Sequence, residues 1–204
     1  TLDPDLVEQK ITPRTKAILA VDVFGHPADW DRLEALAKAY GLALIEDSAE
    51  AIGSKYKGRP CGGFGDAAVF AFYPNKQITT GEGGTLLTNR PEIASMARSM
   101  RNQGRDEGNG WLEHQQLGYN YRISEINCAL GRAQLQRLPG ILAARERVAS
   151  LYHQALSDIP QIERPFMGED VQVSWFVYVI RLAPCYTVYH RDKVLQHLKD
   201  EGIG

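Results

Sequence analysis

The stretch AILAVDVFGHPADWDRLEALAKAYGLALIED, residues 17–47, decides the fold class of this chain. It opens with a nearly continuous apolar run, residues 17–23, which is typical of a strand buried on both faces. Asp29 then predicts the N-cap of a helix with one apolar face, and Gly41 predicts the end of that helix. A second apolar run follows at residues 42–45. A strand, a helix and a strand of these lengths predict a βαβ unit, and therefore an α/β fold built on a parallel sheet.

The rest of the sequence extends this pattern. Further strands are predicted at residues 67–72, 85–88 and 175–180, and further helices at residues 91–101, 124–138, 139–157 and 190–201. A new helix is predicted to start at Pro139 because proline lacks the N–H that a helix interior requires. The glycine-rich segment 53–66 is expected to turn back on itself, and segment 102–122 is expected to be a long functional loop. The pattern changes near residue 150, which predicts part of a large domain at 1–150 and the beginning of a small α+β domain at 151–204.

Composition and charge exclude several classes of protein. Of the 204 residues, 44% are apolar and 24% are charged, which is close to the globular average and excludes global disorder. A net charge of −2 argues against a general binder of nucleic acid or of anionic membranes. No apolar run approaches the roughly 18 residues of a membrane span, and no secretory leader is recognised. Cys61, Cys128 and Cys185 form no CxxC pair, so we expect no disulfide framework, no metal site and a cytoplasmic location.

Three segments carry side chains suited to chemistry. Asp47 ends the second predicted strand, and ligands of open α/β sheets bind at the carboxyl ends of such strands. Lys76 ends the segment FAFYPNK, residues 70–76, and a lysine in partly apolar surroundings is a nucleophile for carbonyl compounds. The segment GYNYRISE, residues 118–125, precedes a helix and suits an anion such as phosphate. Taken singly, each has a plainer explanation: a solvated acid, a surface lysine and a capped helix.

The acid and the lysine together point to one cofactor. Pyridoxal phosphate needs an acid that keeps its ring nitrogen protonated and a lysine that holds it as a Schiff base. The sequence contains no GxxxxGK[ST] loop, so the phosphate chemistry of P-loop proteins is not indicated. No GxGxxG follows the first strand either, which disfavours a dinucleotide-binding domain.

A series of segments resembles the DegT/DnrJ/StrS family of sugar aminotransferases in both order and spacing. The segments are EDSAEAIG (46–53), YKGR (56–59), GD (65–66), FAFYPNK (70–76), GEGG (81–84), RNQG (101–104) and GYNYR (118–122). The resemblance implies the aspartate aminotransferase-like fold (fold type I) with a mixed, mostly parallel sheet, and pyridoxal 5′-phosphate as cofactor. It also implies a nucleotide-linked keto-sugar as substrate and a role in making polysaccharide or antibiotic sugars. Because the chain lacks an initiator Met and stops just after a helical pattern, we expect it to be a central segment of a longer enzyme.

The resemblance also assigns roles to residues that bind the cofactor. Lys76 matches the Schiff-base lysine, which then moves a proton between the substrate carbon and the cofactor. Asp47 matches the acid that pairs with the pyridine nitrogen. Glu50 matches a position, usually His or Gln, that approaches the phenolic oxygen of the ring. Asn120, and less securely Arg122, match residues that contact the cofactor phosphate bound to the other subunit of a homodimer with shared active sites.

The substrate side of the site is assigned more broadly. Arg101, Asn102 and Tyr121 are expected to lie near the nucleotide-sugar, and glutamate is the expected amino donor. The family's dehydratase branch carries His in place of the lysine, so Lys76 favours an aminotransferase. The alternative is a catalytically incomplete or regulatory family member that keeps the fold and binds only a partner or the cofactor.

Three features depart from the family pattern. Ala71 stands where a serine commonly binds the cofactor phosphate, and Asn75 is the nearest candidate for a replacement. Asp22 stands where histidine is frequent, and the sequence offers no functional account of it. The phosphate loop and the aromatic residue that stacks on the cofactor are not found in residues 1–16.

Overall fold

The computed structural model describes residues 1–105 and 113–203. Its helices are α1 (Pro4–Glu8), α2 (Trp30–Tyr40), α3 (Pro91–Arg101), α4 (Glu125–Ala155) and α5 (Val188–Asp200). Its strands are β1 (Ala17–Val21), β2 (Ala43–Asp47), β3 (Lys55–Tyr56), β4 (Arg59–Pro60), β5 (Ala67–Ala71), β6 (Gly84–Leu87), β7 (Ile162–Glu163), β8 (Val171–Gln172) and β9 (Arg181–Leu182). The predicted loop at 102–122 is described only in part, and its segment 106–112 with Trp111 lies outside the described residues.

The main sheet has the strand order β1-β2-β5-β6. The first three strands are parallel, and β6 pairs with β5 in the antiparallel direction. This arrangement confirms the predicted α/β fold with a mixed, mostly parallel sheet. The register places Val21, Asp47 and Val69 side by side, so the carboxyl ends of three strands lie at one edge.

Helix α2 covers one face of this sheet and forms the core with it. The side chain of Asp29 accepts a hydrogen bond from the Arg32 N–H, and Gly41 ends the helix in the left-handed conformation at φ 63°, which confirms both predicted boundaries. Trp30 is fully buried and stacks on Phe64 with ring centroids 5.1 Å apart. The remaining buried apolar side chains of this core are Ile18, Ala20, Ala28, Leu33, Ala37, Leu44, Ala51, Tyr56 and Cys61.

The opposite face of the sheet differs from the prediction. Leu19 of β1 is 54% exposed and Leu86 of β6 is 46% exposed, so burial on both faces is wrong for β1 as the structure describes it. The apolar run of residues 17–23 shows only which side chains could be buried. Alternation along the strand places Ile18 and Ala20 in the core and turns Leu19 away from it.

The predicted helix boundary at Pro139 is also wrong. Helix α4 continues through this proline from Glu125 to Ala155, with the side chain of Ser124 as N-cap as predicted. A proline inside a helix removes one internal hydrogen bond and its ring crowds the preceding turn, at a cost of about 3 kcal/mol, which a long helix can tolerate. The flanking Ala, Leu, Arg and Gln residues have high helix propensity, which favours one continuous helix. The predicted domain boundary near residue 150 falls inside α4 and stays a prediction.

No strand forms at residues 175–180, contrary to the prediction. Trp175 has a left-handed backbone at φ 44°, which a strand cannot accommodate. The backbone groups that a strand would use for pairing are bonded to side chains instead. The carbonyls of Trp175 and Phe176 accept from Arg145, and the Ser174 N–H donates to the Ser54 hydroxyl.

Two smaller elements complete the fold. Segment 53–66 does turn back on itself, because β3 and β4 form a hairpin across Lys57 and Gly58. The last helix begins two residues before the predicted start at His190, since Thr187 and His190 form a capping box. None of the helices in the described part of the chain combines the length and apolar character that crossing a bilayer requires.

Candidate active site

Lys76 lies in the turn that follows β5, close to the carboxyl edge of the sheet. Its Nζ is 3.1 Å from Glu50 Oε1 and 4.4 Å from the centroid of the Phe176 ring. The side chains of Lys76 and Glu50 are only 14% and 21% exposed. The lysine amine is therefore held between a carboxylate and an aromatic face at this edge of the sheet.

Glu50 connects this lysine to the turn after β1. Its second oxygen, Oε2, accepts a hydrogen bond of 2.8 Å from the backbone N–H of Phe24, whose φ of 61° is left-handed. The amide of Gln77 donates to the Glu50 carbonyl at 2.5 Å and to the Ser174 hydroxyl at 2.9 Å. Sequence reasoning missed Phe24, Gln77 and Phe176 because they reach Glu50 and Lys76 only through tertiary contacts.

Asp47 occupies the end of β2 on the other face of the strand from Glu46. Glu46 is fully buried, whereas Asp47 is half-buried and points away from the core because side chains alternate along a strand. Asp47 Oδ1 accepts a hydrogen bond of 3.0 Å from the Ala49 N–H. This bond orients the carboxylate at the sheet edge where α/β proteins bind their ligands.

Asp22 has a structural role that its sequence position did not reveal. It is fully buried, and its Oδ1 accepts from the backbone N–H of Ala28 at 2.8 Å and from the indole N–H of Trp30 at 3.0 Å. Its Oδ2 lies 2.6 Å from Ser48 Oγ. Asp22 thereby links the end of β1 to the start of α2 and to the strand end that carries the predicted cofactor acid.

A second buried acid, Glu46, shares the same serine. Ser48 Oγ lies 2.7 Å from Glu46 Oε1 as well as 2.6 Å from Asp22 Oδ2. A hydroxyl has one hydrogen, so it can donate to only one of the two carboxyl groups, and the other contact requires a proton on a carboxyl. Burial accordingly raises the pKa of Glu46 to about 7, although hydrogen bonds from Gly62 N–H and Phe64 N–H oppose this rise.

We expect this raised pKa to make stability depend on pH. The folded protein holds a proton on Glu46 between the ordinary pKa of 4.5 and about 7, whereas the unfolded chain releases it. The free energy of unfolding should therefore fall as pH rises through this window, by on the order of 3 kcal/mol. Chemical denaturation of the wild type and of Glu46→Gln between about pH 5 and pH 8 measures this slope.

Glu46→Gln should remove that part of the pH dependence, because an amide does not titrate. The nearby buried groups Asp22 and Cys61 remain in the variant, so the difference between the two proteins isolates Glu46. Identical slopes in the two proteins would contradict the assignment of the proton to Glu46.

The residues predicted to contact the phosphate and the sugar form a second cluster. Arg122 Nη1 donates to Asn102 Oδ1 at 2.8 Å, and the backbones of Asn102 and Asn120 form an isolated antiparallel bridge. The rings of Tyr119 and Tyr121 stack with centroids 4.9 Å apart. Tyr121 is 71% exposed, so its ring presents an open aromatic surface beside Arg122.

Two glycines allow this second cluster to form. The backbone of Gly104, at φ 77°, passes so close to Gln116 and Gly118 that a Cβ on either glycine would overlap the other segment. The close approach lets the Tyr121 N–H donate to the Arg101 carbonyl at 2.9 Å. The glycines of the RNQG and GYNYR segments are therefore required by backbone packing.

The structure thus brings the predicted site residues together in two groups. Lys76 and Glu50 are in direct contact, and Asp47 lies three residues before Glu50 at the end of β2. Asn120 and Arg122 belong to the second group, whose further members are Arg101, Asn102 and Tyr121. Their roles toward cofactor and substrate stay predictions. Ala71 pairs with Gly84 at the end of β5 and brings no side-chain hydroxyl, and Asn75 is exposed.

An α/β sheet with a lysine and an acid at its carboxyl edge has the architecture of the fold-type I pyridoxal-phosphate transferases. A family model, the DegT/DnrJ/EryC1/StrS aminotransferase family, matches residues 1–204. The chain belongs to this family, which confirms the resemblance drawn from the sequence segments.

Curated relatives match the chain along its whole length. It is 40% identical to the erythromycin biosynthesis sensory transduction protein EryC1 of Saccharopolyspora erythraea, covering 100% of this chain and 53% of the relative. It is 40% identical to GDP-perosamine synthase of Caulobacter vibrioides, covering 99% of this chain and 54% of that protein. It is 38% identical to dTDP-3-amino-3,4,6-trideoxy-alpha-D-glucose transaminase of Streptomyces venezuelae, covering 100% of this chain and 52% of that protein. The chain spans about half the length of the curated relatives it matches.

Solved structures share the fold closely. DesV of S. venezuelae, in complex with a ketimine intermediate, superposes with a TM-score of 0.90 at 36% identity, over 100% of this chain and 53% of that one. DesI, in the presence of its TDP-sugar product, superposes with a TM-score of 0.89 at 33% identity, over 98% of this chain and 50% of that one. The PLP form of the putative sugar aminotransferase Spr1654 from Streptococcus pneumoniae superposes with a TM-score of 0.89 at 28% identity, over 98% of this chain and 56% of that one. These likenesses confirm the predicted fold class.

Proposed function

We propose that the protein is a pyridoxal-phosphate-dependent aminotransferase that moves an amino group to a nucleotide-linked keto-sugar. The observation that carries the proposal is the half-buried Lys76 amine, 3.1 Å from Glu50 Oε1 at the carboxyl edge of the sheet. The names of the relatives support the proposal, since they include a GDP-perosamine synthase and a transaminase of a dTDP-sugar. Glutamate as the amino donor and a cytoplasmic location stay predictions.

The side chains at this edge fit the cofactor. The lysine amine, the half-buried Asp47 carboxylate and the aromatic face of Phe176 form a donor set that suits a charged aromatic aldehyde. We assign to Lys76 the covalent bond to the cofactor. Asp47 would pair with the ring nitrogen, and Glu50 would approach the phenolic oxygen. When bound, pyridoxal phosphate supplies an electron-withdrawing ring that stabilises negative charge at the substrate carbon next to nitrogen.

The chain's own residues then have separate tasks. Asp47, oriented by the Ala49 N–H, holds a proton on the ring nitrogen through its negative charge. With the cofactor bound, the Lys76 amine would move the proton at the reacting carbon, and the Phe176 ring, 4.4 Å from Nζ, would limit the access of water to that amine. Glu50 orients Lys76 before the cofactor binds, and Gln77 fixes the backbone that carries Glu50.

We also infer that the protein acts as a homodimer with shared active sites. Large apolar side chains in the segments next to the second cluster are exposed: Leu117 81%, Ile126 81%, Met96 49% and Leu130 43%. Large exposed apolar side chains are typical of an interface when they lie in one patch, and we propose that these four do. A second copy that covers it would bring Asn120 and Arg122 of one subunit toward Lys76 of the other. Light scattering of the full-length protein should give twice the monomer mass, and a monomer that still transfers amino groups would contradict the shared site.

The proposal is tested by assaying the purified full-length protein for amino transfer. We expect a near-visible absorbance band after pyridoxal phosphate is added, and amino transfer from glutamate to at least one member of a panel of keto-sugar nucleotides. The absence of the band would instead favour a regulatory protein. One relative, from erythromycin biosynthesis, is named a sensory transduction protein. A band without transfer to any sugar in the panel would contradict the proposed substrate class.

A further inference from the structure

A buried network of three polar side chains, Asp22, Ser48 and Glu46, adjoins the predicted cofactor acid Asp47. All three side chains are 0% exposed. Glu46 and Ser48 directly precede and follow Asp47, and Asp22 follows β1, the strand that pairs with β2. Asp47 itself is only half-buried, so the residues on both sides of it are anchored in the core while its own side chain is turned away from the core.

Backbone hydrogen bonds attach this network to the main chain around Asp47. The Asp22 N–H donates to the Asp47 carbonyl at 3.0 Å, and the Ser48 N–H donates to the Val69 carbonyl at 3.1 Å. The Ser48 carbonyl accepts from the Ala51 N–H at 2.9 Å. The peptide groups that follow the Asp47 side chain are therefore held by both neighbouring strands.

The side chains of the network fix the same point a second time. Ser48 Oγ lies 2.6 Å from Asp22 Oδ2 and 2.7 Å from Glu46 Oε1. The other hydrogen bonds to the two acids come from groups fixed in the fold, namely the N–H groups of Ala28, Gly62 and Phe64 and the indole N–H of Trp30. Ser48 cannot shift without breaking a buried hydrogen bond, and buried polar groups that lose a partner are strongly unfavourable.

The chemistry of this cluster suits a shared proton better than a metal ion. The ligand atoms of Asp22, Glu46 and the buried Cys61 lie within 4.8 Å of one another, a spacing that a cation could bridge. Metal ligands must be deprotonated. The shared hydroxyl requires a proton on one of the two carboxyl groups, and burial raises the pKa of the Cys61 thiol, which keeps that thiol neutral.

We propose that Asp22 and Glu46 are positioning residues for the cofactor acid. Through Ser48 they fix the backbone of Asp47, so that its carboxylate faces the ring nitrogen of the cofactor. The inference rests on the proposed function, because it takes Asp47 as the partner of that nitrogen. A misplacement of about 1 Å at a reacting centre can lower a rate about 10²-fold, which is why side chains that hold a catalytic group in place matter.

Ser48→Ala in the full-length protein tests the positioning without altering Asp47. The protein is loaded with pyridoxal phosphate labelled with nitrogen-15 in the ring, whose chemical shift reports whether the ring nitrogen carries a proton. Loss of the hydroxyl should lower the pKa of the ring nitrogen by about one unit, equivalent to tenfold weaker pairing with Asp47. Turnover should fall about tenfold or more. A ring titration identical to that of the wild type would overturn the proposal.

Two variants of Asp22 distinguish hydrogen-bond geometry from charge. Asp22→Ala removes the acceptor of the Ser48 contact and should shift the ring titration as Ser48→Ala does. In Asp22→Asn the amide can donate to Ser48 Oγ, whose own hydrogen then goes to an ionised Glu46. The network keeps one negative charge and all its hydrogen bonds, so Asp22→Asn should restore the ring titration. A shift as large in Asp22→Asn as in Asp22→Ala would overturn the role of this bridge.

Leu33→Ala controls for a general loss of stability. Leu33 is a fully buried side chain of α2, and its truncation leaves every side-chain hydrogen bond of the network in place. This variant should lower the thermal midpoint at least as much as Ser48→Ala while leaving the ring titration unchanged. A shift in the ring titration that follows the thermal midpoint across all these variants would overturn the proposal.

Hydrogen exchange in the protein without cofactor separates this inference from the proposed function. The Ala49 N–H donates to Asp47 Oδ1 at 3.0 Å, so its exchange rate reports how firmly the carboxylate is held. Ser48→Ala should speed exchange at Ala49 about tenfold, with an unchanged rate at the Leu33 N–H. Unchanged exchange at Ala49 in a variant that still loads cofactor normally would overturn the positioning alone. Faster exchange in a protein that never takes up pyridoxal phosphate would overturn the proposed function alone.

Discussion

Lys76→Ala in the full-length protein is expected to abolish amino transfer, with a fall in turnover of at least about 10³-fold. The change removes the amine that would hold the cofactor covalently and that would move the proton at the reacting carbon. No other lysine can take over, because the described contacts of Glu50 and Phe176 place only the Lys76 amine at this edge. The measurements are steady-state amino transfer and the near-visible absorbance of the protein after pyridoxal phosphate is added.

Two further variants make this result specific. Lys76→Arg keeps a positive charge opposite Glu50 but offers no nucleophilic amine, so it should be as inactive as the alanine variant. Lys38→Ala removes an exposed lysine near the end of α2 and should behave as the wild type. Thermal unfolding checks that Lys76→Ala remains folded despite the unpaired Glu50. Turnover of Lys76→Arg near the wild-type rate would refute the assignment of Lys76.

Asp47→Asn should lower turnover by about 10²–10³-fold while leaving the fold intact. The amide retains the shape of the side chain, and its oxygen can still accept from the Ala49 N–H. It has lost the negative charge that would keep a proton on the ring nitrogen. Asp47→Ala should be at least as severe, since it removes the hydrogen bond as well.

The comparison with Asp31→Asn controls for a general effect of charge. Asp31 forms an exposed ion pair with Lys57, and the loss of one charge from such a pair has little consequence. The absorbance spectrum of the loaded protein gives a readout independent of turnover, because it responds to the protonation of the ring nitrogen. Wild-type turnover and an unchanged spectrum in Asp47→Asn would exclude this role for Asp47.

Local sequence signals determined the framework of the fold. The first strand, α2 with its caps Asp29 and Gly41, and the strand that ends at Asp47 were all predicted within a few residues. Each depends on neighbours in sequence: apolar periodicity, a capping side chain and a glycine that adopts a left-handed backbone. Where the prediction failed, long-range contacts prevailed. Trp175 has a left-handed backbone instead of a strand conformation, and its carbonyl accepts from Arg145, 30 positions away.

The sequence segments also indicated Lys76, Asp47 and Glu50, since their order along the chain resembles that of the family. Only the tertiary structure decided how these side chains are held. The ion pair of Lys76 with Glu50 spans 26 positions, as does the bond from the Phe24 N–H to Glu50. No local pattern encodes contacts of that separation.

Asp22 shows the difference most clearly. In the sequence it is an unexplained acid where the family commonly has histidine. In the structure it is fully buried and shares Ser48 with Glu46, a carboxyl whose pKa burial raises to about 7. The sequence by itself determined the family and the sheet and predicted which lysine is reactive, because these follow from residue types and their order. Tertiary structure alone decided which acids contact the same serine hydroxyl and which arginines surround one cavity, since burial and proximity arise only when distant segments pack together.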